Sequence, residues 1–353
     1  MRTTVPRFAP VRNRAWCLRH LAAPVAATVG LVALSRQVDL SRAAASLRFA
    51  DGRWLVVATA LSILSMSAGA VTWGLLARAS GMKLSWAQVA SWSGRAVFFG
   101  QLVPGGAGGD AVRVVAGRTT GGLGPAIASD LVARVCGSIG LTLWALAAAV
   151  LLRGEVGMPV VWVAMGLAGG TWLSLAILLD ADRLLRRLEG RKARWARSVS
   201  ARLHPLADAL GSFRERPGLV AQTLLWSVAG WGLNLAALVC LGQAVGAAVG
   251  WQVFAVTIPL TLVTTMVPLS ANGVGMREGL LIGLLGRAGV VGGHAVALSV
   301  LVDVQLLPVA LLGGLIGLRI PRAHRSPKPV LALEVLVPPP AGAALPVPVP
   351  VEV

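Results

Sequence analysis

The sequence has few charged residues, and this scarcity excludes the class of soluble globular domains. Charged side chains make up 13% of the 353 residues, hydrophobic ones make up 56%, and the mean hydropathy is +0.75. Soluble domains carry about 25% charged residues, because their surface faces water. A chain of this length and composition is long enough for several hydrophobic spans. We therefore predict an all-α polytopic membrane protein.

Lysine is also scarce, so the formal net charge of +18 comes almost entirely from arginine. A strongly basic chain is one sign of nucleic-acid binding, but these arginines lie between apolar runs. Retention of positive charge on the cytoplasmic side, with attraction to anionic lipid headgroups, explains that placement more simply. We predict membrane lipids as partners, with an anionic or polyprenyl-phosphate-linked headgroup, and no nucleic acid. The predicted location is the plasma (inner) membrane, with both termini in the cytoplasm.

Cysteine is too rare and too scattered to indicate a disulfide framework or a metal site. Cys17, Cys136 and Cys240 lie far apart, mostly in apolar surroundings. Their spacing matches neither pattern. The sequence also has no cluster of histidine, cysteine and aspartate with the spacing of metal ligands. We therefore predict no metal and no cofactor.

Charge and hydropathy divide the chain into five segments. Residues 1–20 form a basic cytoplasmic arm, and residues 21–179 form a first transmembrane half. Residues 180–217 hold ten basic and five acidic residues with leucines near helical spacing. This pattern predicts a basic amphipathic helix on the cytoplasmic surface. Residues 218–320 form a second transmembrane half, and the Pro-rich tail 321–353 is predicted to be disordered.

Within the two halves, the apolar runs fall into two kinds. Uninterrupted runs predict single spans, and broken runs predict helix pairs. The predicted spans are 21–35, 54–77, 123–151, 159–179, 218–245 and 293–318, and the broken pairs are 84–118 and 251–290.

Proline and glycine mark a break in each broken pair. Glycine weakens a helix through backbone freedom, and proline through its missing N–H and its ring. Such a break beside charges in an apolar chain predicts a discontinuous helix lining a polar cavity. Each pair is either re-entrant or crosses the membrane twice. If both are re-entrant, they enter from opposite sides, which predicts two inverted-topology halves. The break residues are Pro104, Gly106, Gly108 and Gly109 in the first half, and Pro268, Gly273 and Gly275 in the second.

Charged residues within the apolar runs are the candidates for substrate binding. A charge at the centre of a span costs about 2.5–3.5 kcal/mol on insertion scales, so it normally faces protein or water. Asp130 and Arg134 are one helical turn apart, and an intrahelical pair that only neutralises charge is an equally good interpretation. The breaks themselves are also compatible with glycines that only allow close helix packing. The candidates are Arg95, Asp110, Arg113, Asp130, Arg134, Arg277, Glu278 and Asp303.

Three stretches, QLVPGGAGGDAVR, DLVAR and VPLSANGVGMREG, together resemble the flippase-like family of the lysylphosphatidylglycerol synthase transmembrane region. The resemblance implies inverted repeats and the movement of lipids with charged or phosphorylated headgroups between leaflets. Some members carry a soluble C-terminal aminoacyl-transferase domain, which we expect this chain to lack. The matching residues are Pro104, Gly106, Gly108, Gly109, Asp110 and Arg113, then Arg134 and Gly137, then Pro268, Ser270, Gly273, Gly275 and Glu278.

Three functions follow from this pattern, and the first is preferred. A flippase-like transporter would pair its intramembrane arginines with phosphate, and it would not be an enzyme. A membrane-embedded transferase acting on a polyprenyl-phosphate or phospholipid substrate would use the same charges for catalysis. A scaffold protein would hold partners through the basic segment 180–217 and would not need the charges at the breaks.

Overall fold

The computed structural model describes residues 48, 50–102, 107–153, 158–189, 194–266, 276–290 and 292–319. The chain divides into two units, Met1–Ile320 and Pro321–Val353, and every described residue belongs to the first. The predicted basic arm, the predicted span 21–35 and the predicted disordered tail lie outside the described residues.

The described residues form eleven α-helices and contain no strand, which confirms the prediction of an all-α protein. In chain order the helices are α1 (Gly52–Ala79), α2 (Trp86–Leu102), α3 (Ala107–Thr120), α4 (Leu123–Leu151), α5 (Met158–Leu179), α6 (Ala181–Glu189), α7 (Arg194–Arg214), α8 (Pro217–Ala244), α9 (Trp251–Met266), α10 (Met276–Arg287) and α11 (Gly292–Arg319).

Helices α1, α4, α5 and α8 are long and apolar enough to cross a membrane. A crossing needs about 20 residues, because a helix rises 1.5 Å per residue through about 30 Å of hydrocarbon. Many large apolar side chains on these helices remain exposed, among them Trp162 and Leu173 of α5 and Leu225 of α8. An apolar surface of this kind fits lipid rather than water, so the chain is a polytopic membrane protein.

Helices α1 and α8 pack as a central antiparallel pair, fixed at both ends. The backbone N–H of Asp51, before α1, donates to the carbonyl oxygen of Ala244 at 2.9 Å. At the other end, the guanidinium of Arg216, before α8, donates to the carbonyl oxygen of Ala79 at 2.7 Å. Between them, the hydroxyl of Ser65 donates to the carbonyl oxygen of Gly230 at 2.8 Å. These contacts define an Ala79 end and an Ala244 end of the helix bundle.

Helices α2 and α3 form a hairpin that starts and ends at the Ala79 end. Val89 of α2 and Ala116 of α3 belong to one buried apolar cluster with Ala77. Deeper in the hairpin, a Cβ on Gly109 would lie 2.8 Å from the carbonyl oxygen of Ala96. Glycine at position 109 therefore lets the two helices touch through their backbones, as the packing interpretation of these glycines requires. With 17 residues, α2 is about 25 Å long, shorter than a full crossing.

Helices α9 and α10 form a second hairpin, which starts and ends at the Ala244 end. Phe254 of α9 and Leu285 of α10 are fully buried in one apolar cluster with Val245 and Val249. Helix α9 has 16 residues and α10 has 12, so each is also shorter than a full crossing. The two hairpins therefore enter the bundle from opposite ends.

The segment predicted as one amphipathic helix over 180–217 forms two helices, α6 and α7, which flank residues 190–193. Asp182 of α6 is buried, forms ion pairs with Arg186 and Arg214, and packs against Gly211 of α7. A pair of oppositely charged groups holds its position only where geometry and hydrogen bonding compensate for lost solvation. These contacts fasten α6 to α7 at the Ala79 end of the bundle.

Candidate functional site

The candidate site lies between α3 and α4, which are antiparallel neighbours joined by a tight turn. The turn is made by Gly122, whose φ of 99° lies in the left-handed region that favours glycine. Next to the turn, Gly117 of α3 packs closely against Ala126 of α4. From that contact, each successive turn of the two helices brings the next pair of side chains face to face.

The next two pairs are salt bridges between the helices. Arg113 of α3 donates from Nη1 to Oδ1 of Asp130 on α4 at 3.3 Å. One turn further, Arg134 of α4 donates from Nε to Oδ1 of Asp110 at 3.2 Å, and its Nη2 pairs with Oδ2 of the same carboxylate. The second pair is thus bidentate, the stronger arrangement for arginine and carboxylate. We call these four residues the ion-pair cluster.

The structure bears on one of the two sequence interpretations of Asp130 and Arg134, the intrahelical pair. Although they lie one turn apart on α4, each forms its salt bridge with a residue of α3. The predicted intrahelical pair is therefore wrong in its partners, because the close packing at Gly117 brings α3 within reach of α4. A salt bridge between two helices links those helices, whereas a pair within α4 would only neutralise its own two charges.

The ion-pair cluster has an inner, buried pair and an outer, accessible pair. The Asp130 side chain is 7% exposed and that of Arg113 is 22% exposed. The Asp110 side chain is 29% exposed and that of Arg134 is 48% exposed. Asp110 also lies in the first turn of α3, where the positive end of the helix dipole stabilises a carboxylate. The outer pair is therefore accessible for exchange with a ligand, while the inner pair is held in place.

Trp73 of α1 completes the inner side of the cluster. The guanidinium carbon of Arg113 lies 5.7 Å from the centroid of the Trp73 ring, within range of a cation–π interaction. The indole N–H of Trp73 and Nε of Arg113 are both buried and have no hydrogen-bond partner among the described residues. A buried donor without an acceptor costs about 1–3 kcal/mol. The Arg113–Trp73 contact therefore contains two unsatisfied donors, whose cost an acceptor oxygen would remove.

Sequence reasoning missed Trp73 because nothing in its own stretch distinguishes it. It lies in the apolar run of α1, where a tryptophan is as easily part of the core or of the interface. Only the packing of α1 against the α3–α4 hairpin brings its ring to Arg113. The nearest available signal was that an intramembrane arginine requires some partner.

Arg95, the remaining candidate in the first half, lies on α2. Its guanidinium carbon is 4.7 Å from the centroid of the Trp92 ring, one turn earlier on the same helix. Stacking on an indole ring is one way to stabilise a cation in apolar surroundings. The hydroxyl of the neighbouring Ser93 is buried without a hydrogen-bond partner in the described part of the chain.

The second-half candidates, together with two residues of the first-half break, lie largely outside the described residues, so their roles remain predictions. The backbone of Pro104, Gly106, Pro268, Gly273 and Gly275 lies outside, as do the side chains of Arg277, Glu278 and Asp303. Gly108 is buried in the first turn of α3.

Gln305, on α11, donates from Nε2 to the carbonyl oxygen of Ala58 at 3.0 Å and contacts the hydroxyl of Ser62, which links α11 to α1.

In the described part of the chain, no group of three or more histidine, cysteine, aspartate or glutamate side chains is placed to hold a metal ion. The ion-pair cluster itself offers two guanidinium groups and two carboxylates, with the indole of Trp73 nearby.

Comparison with known proteins identifies one family whose model covers most of the chain. The family model for the lysylphosphatidylglycerol synthase TM region matches residues 21–313, which include the ion-pair cluster and both hairpins. No curated protein matches the chain at a significant level. The family is one of membrane proteins associated with lipid handling. Because the match covers most of its length, the chain belongs to the family of the lysylphosphatidylglycerol synthase transmembrane region.

Proposed function

We propose that the protein is a flippase-like transporter, which moves a lipid with a charged or phosphorylated headgroup between leaflets. The observation that carries the proposal is the ion-pair cluster, a partly accessible set of opposite charges between α3 and the membrane-crossing helix α4. Charged side chains in a membrane are expensive and normally serve substrate or ion pathways.

The outer pair supplies the chemistry for headgroup binding. A guanidinium binds phosphate in the same bidentate manner in which Arg134 binds Asp110. If a phosphate replaces Asp110 as the partner of Arg134, the exchange of one anion for another costs little electrostatic energy. Asp110 is then free to pair with a cationic part of the same headgroup. Because the cluster holds equal numbers of both charges, it suits a headgroup that carries phosphate, a cation or both.

The inner pair supports this exchange by holding a second guanidinium in place. Asp130 and Trp73 contact Arg113, and its buried Nε has no hydrogen-bond partner among the described residues. A donor that is already positioned pays less ordering entropy on binding. The headgroup would therefore pass from the outer pair towards Arg113, while its hydrocarbon chains remain in lipid.

Two inverted repeats are part of the proposal, and the two hairpins support them. Helix α1, hairpin α2–α3 and helix α4 would correspond to helix α8, hairpin α9–α10 and helix α11. The hairpins enter from opposite ends, and the central pair α1–α8 is antiparallel, as a twofold axis in the membrane plane requires. In this arrangement Arg277 and Glu278 would form the second wall of the pathway. The Ala79 end, with the basic segment, would face the cytoplasm.

The test is the leaflet exposure of labelled anionic phospholipid in proteoliposomes. We expect Arg113→Ala to abolish exchange between leaflets, and Arg118→Ala, an exposed arginine in the last turn of the same helix, to leave it unchanged. The double variant Arg113→Ala/Glu278→Gln tests both walls at once. Exchange by this double variant at the rate of the unmodified protein would refute the residue assignments.

The same samples separate a transporter from a transferase. An enzyme changes which lipids exist, whereas a transporter changes only where they lie. We expect lipid extracts with and without the protein to have the same composition. A new or lost lipid species that depends on Arg113 would favour the transferase on a polyprenyl-phosphate or phospholipid substrate.

A further inference from the structure

An apolar groove of about 270 Å³ opens between α4, α5 and α9. Ala145 and Ala149 of α4 form its floor, and all the described residues that line it are apolar. Pro159 and Val163 of α5 form one wall, and Pro259 of α9 belongs to the other. Since α4 and α5 are membrane-crossing helices, the groove faces lipid and not water.

The groove lies in the half of the bundle opposite to the ion-pair cluster. Ala148 of α4 belongs to the buried cluster at the Ala244 end, whereas Ala126 of the same helix belongs to the one at the Ala79 end. Along α4, the nearest members of the two sites, Arg134 and Ala145, are about 16 Å apart, which is about the thickness of one leaflet of the hydrocarbon layer. The ion-pair cluster and the groove therefore lie in different leaflets.

The groove lies at one of two comparable helix crossings. Where α2 crosses α11, a Cβ on Gly94 would lie 2.5 Å from the carbonyl oxygen of Gly313, so the backbones touch. The proposed repeat relates this crossing to that of α9 with α4. There Pro259 stands as far from the start of α9 as Gly94 does from the start of α2. At this second crossing Pro259 and Ala145 both line the groove, and α9 contains no glycine.

The dimensions of the groove fit one extended hydrocarbon chain. From Pro159 to Leu167 the α5 wall is about 12 Å long, and one leaflet of the hydrocarbon layer is about 15 Å thick. A phospholipid acyl chain in that leaflet runs parallel to the wall over this length. A polyprenyl chain is several times longer than a leaflet is thick, so most of it would lie outside the groove.

From this position, shape and lining, we propose that the groove between α4, α5 and α9 binds an acyl chain of a phospholipid in the leaflet at the Ala244 end. The binding is apolar contact in a preformed concave site, which buries the chain against three helices. This proposed binding does not depend on lipid transport. Only the comparison of the two helix crossings uses the proposed repeat.

The test is photo-crosslinking in proteoliposomes that contain a phospholipid with a diazirine in one acyl chain. Adducts located by mass spectrometry are expected on the α5 and α9 walls. We expect them to exceed adducts at Met165, on the opposite face of α5, by about tenfold. Val163→Trp fills the groove and is expected to reduce wall labelling to the level at Met165. Met165→Trp, a matched change to an exposed residue at nearly the same depth, is expected to leave wall labelling unchanged.

Two further variants keep the crosslinking test independent of folding and of lipid transport. Leu260→Trp fills the groove from the α9 side, so both filling variants must lose the adducts. Arg113→Ala is expected to keep them, because its defect would lie in headgroup transfer. Equal labelling around α5, or adducts that persist in both filling variants, would overturn the proposal. Displacement by a polyprenyl phosphate, but not by excess unlabelled phospholipid, would overturn the assignment to an acyl chain.

Discussion

Asp130 is a buried acid that forms a salt bridge with Arg113. Its side chain is 7% exposed, and Arg113 supplies the compensating guanidinium from the other helix of the hairpin. A paired charge at this depth contributes little net stability, because desolvation offsets the attraction. The loss of one partner is a different matter, since the remaining charge stays buried without compensation.

This difference predicts a non-additive pair of substitutions. Asp130→Leu is expected to lower the free energy of unfolding by about 3–5 kcal/mol, because it leaves Arg113 uncompensated. The double variant Asp130→Leu/Arg113→Met is expected to recover most of that loss. Chemical unfolding in detergent micelles measures both. Simple addition of the two single-variant effects would show that the charges do not interact.

A substitution at Arg134 can distinguish whether lipid exchange requires only a positive charge there or also the bidentate geometry of a guanidinium. Arg134→Lys keeps the charge but offers no planar fork to Asp110 or to phosphate. We expect lipid exchange in proteoliposomes to fall about tenfold, which corresponds to ~1.4 kcal/mol. Arg118→Lys, on the exposed last turn of α3, serves as the matched control and is expected to have no effect. An equal fall in both would indicate a general charge effect.

At this scale the sequence identifies charged residues better than it identifies their partners. The spacing of Asp130 and Arg134 within α4 is visible in the sequence, and it suggested a pair between them. Their actual partners depend on how deeply α3 and α4 pack, and the small residues Gly117 and Ala126 set that depth. Trp73 was out of reach for the same reason, since it comes from a third helix.

Among the helices, close backbone contact is the main packing device. Glycine allows two helices to approach in a membrane, where van der Waals contact replaces the hydrophobic effect as the main attraction. The contact of Gly94 with Gly313 is a clear case, because each leaves room only for the backbone of the other.

Gly94→Ala therefore has a predicted cost that an ordinary glycine substitution lacks. Its Cβ would meet the Gly313 carbonyl oxygen, and we expect a loss of stability of about 1–3 kcal/mol from overpacking. Gly69→Ala, in α1, meets nothing within 4 Å and is expected to be neutral or to stabilise by about 0.4–1 kcal/mol. Melting temperatures in the same detergent provide the comparison. Equal shifts for the two variants would refute the tight contact.

Helix limits were the most predictable part of the fold. The run 123–151 has the bounds of α4, and the predicted span 54–77 lies within Gly52–Ala79. The length of a crossing helix can be read from its apolar run, because the helix must match the thickness of the hydrocarbon layer. The amphipathic segment 180–217 was harder, since its apolar residues recur near helical spacing on both sides of the residues that separate α6 from α7.

For the whole molecule, the prediction concerns which positions share a side of the membrane. Lys83 and Arg118 lie at the open end of hairpin α2–α3, and Ala248 and Ala288 lie at that of hairpin α9–α10. Single cysteines at these exposed positions, in a background without the native cysteines, should react with an impermeant maleimide in two groups. The first two should react from the cytoplasmic side and the other two from outside. Labelling of all four from one side would contradict the inverted arrangement.

The charge balance of the ion-pair cluster has an electrical consequence. With both aspartates ionised, its two aspartates and two arginines sum to zero, so any movement of the cluster as a unit transfers no net charge across the membrane field. A potential of 100 mV does about 2.3 kcal/mol of work on each elementary charge that crosses. The voltage dependence of exchange should therefore report the headgroup alone. In proteoliposomes with a potassium diffusion potential, a zwitterionic lipid should exchange at a constant rate, while a lipid with net charge should respond to the sign of the voltage.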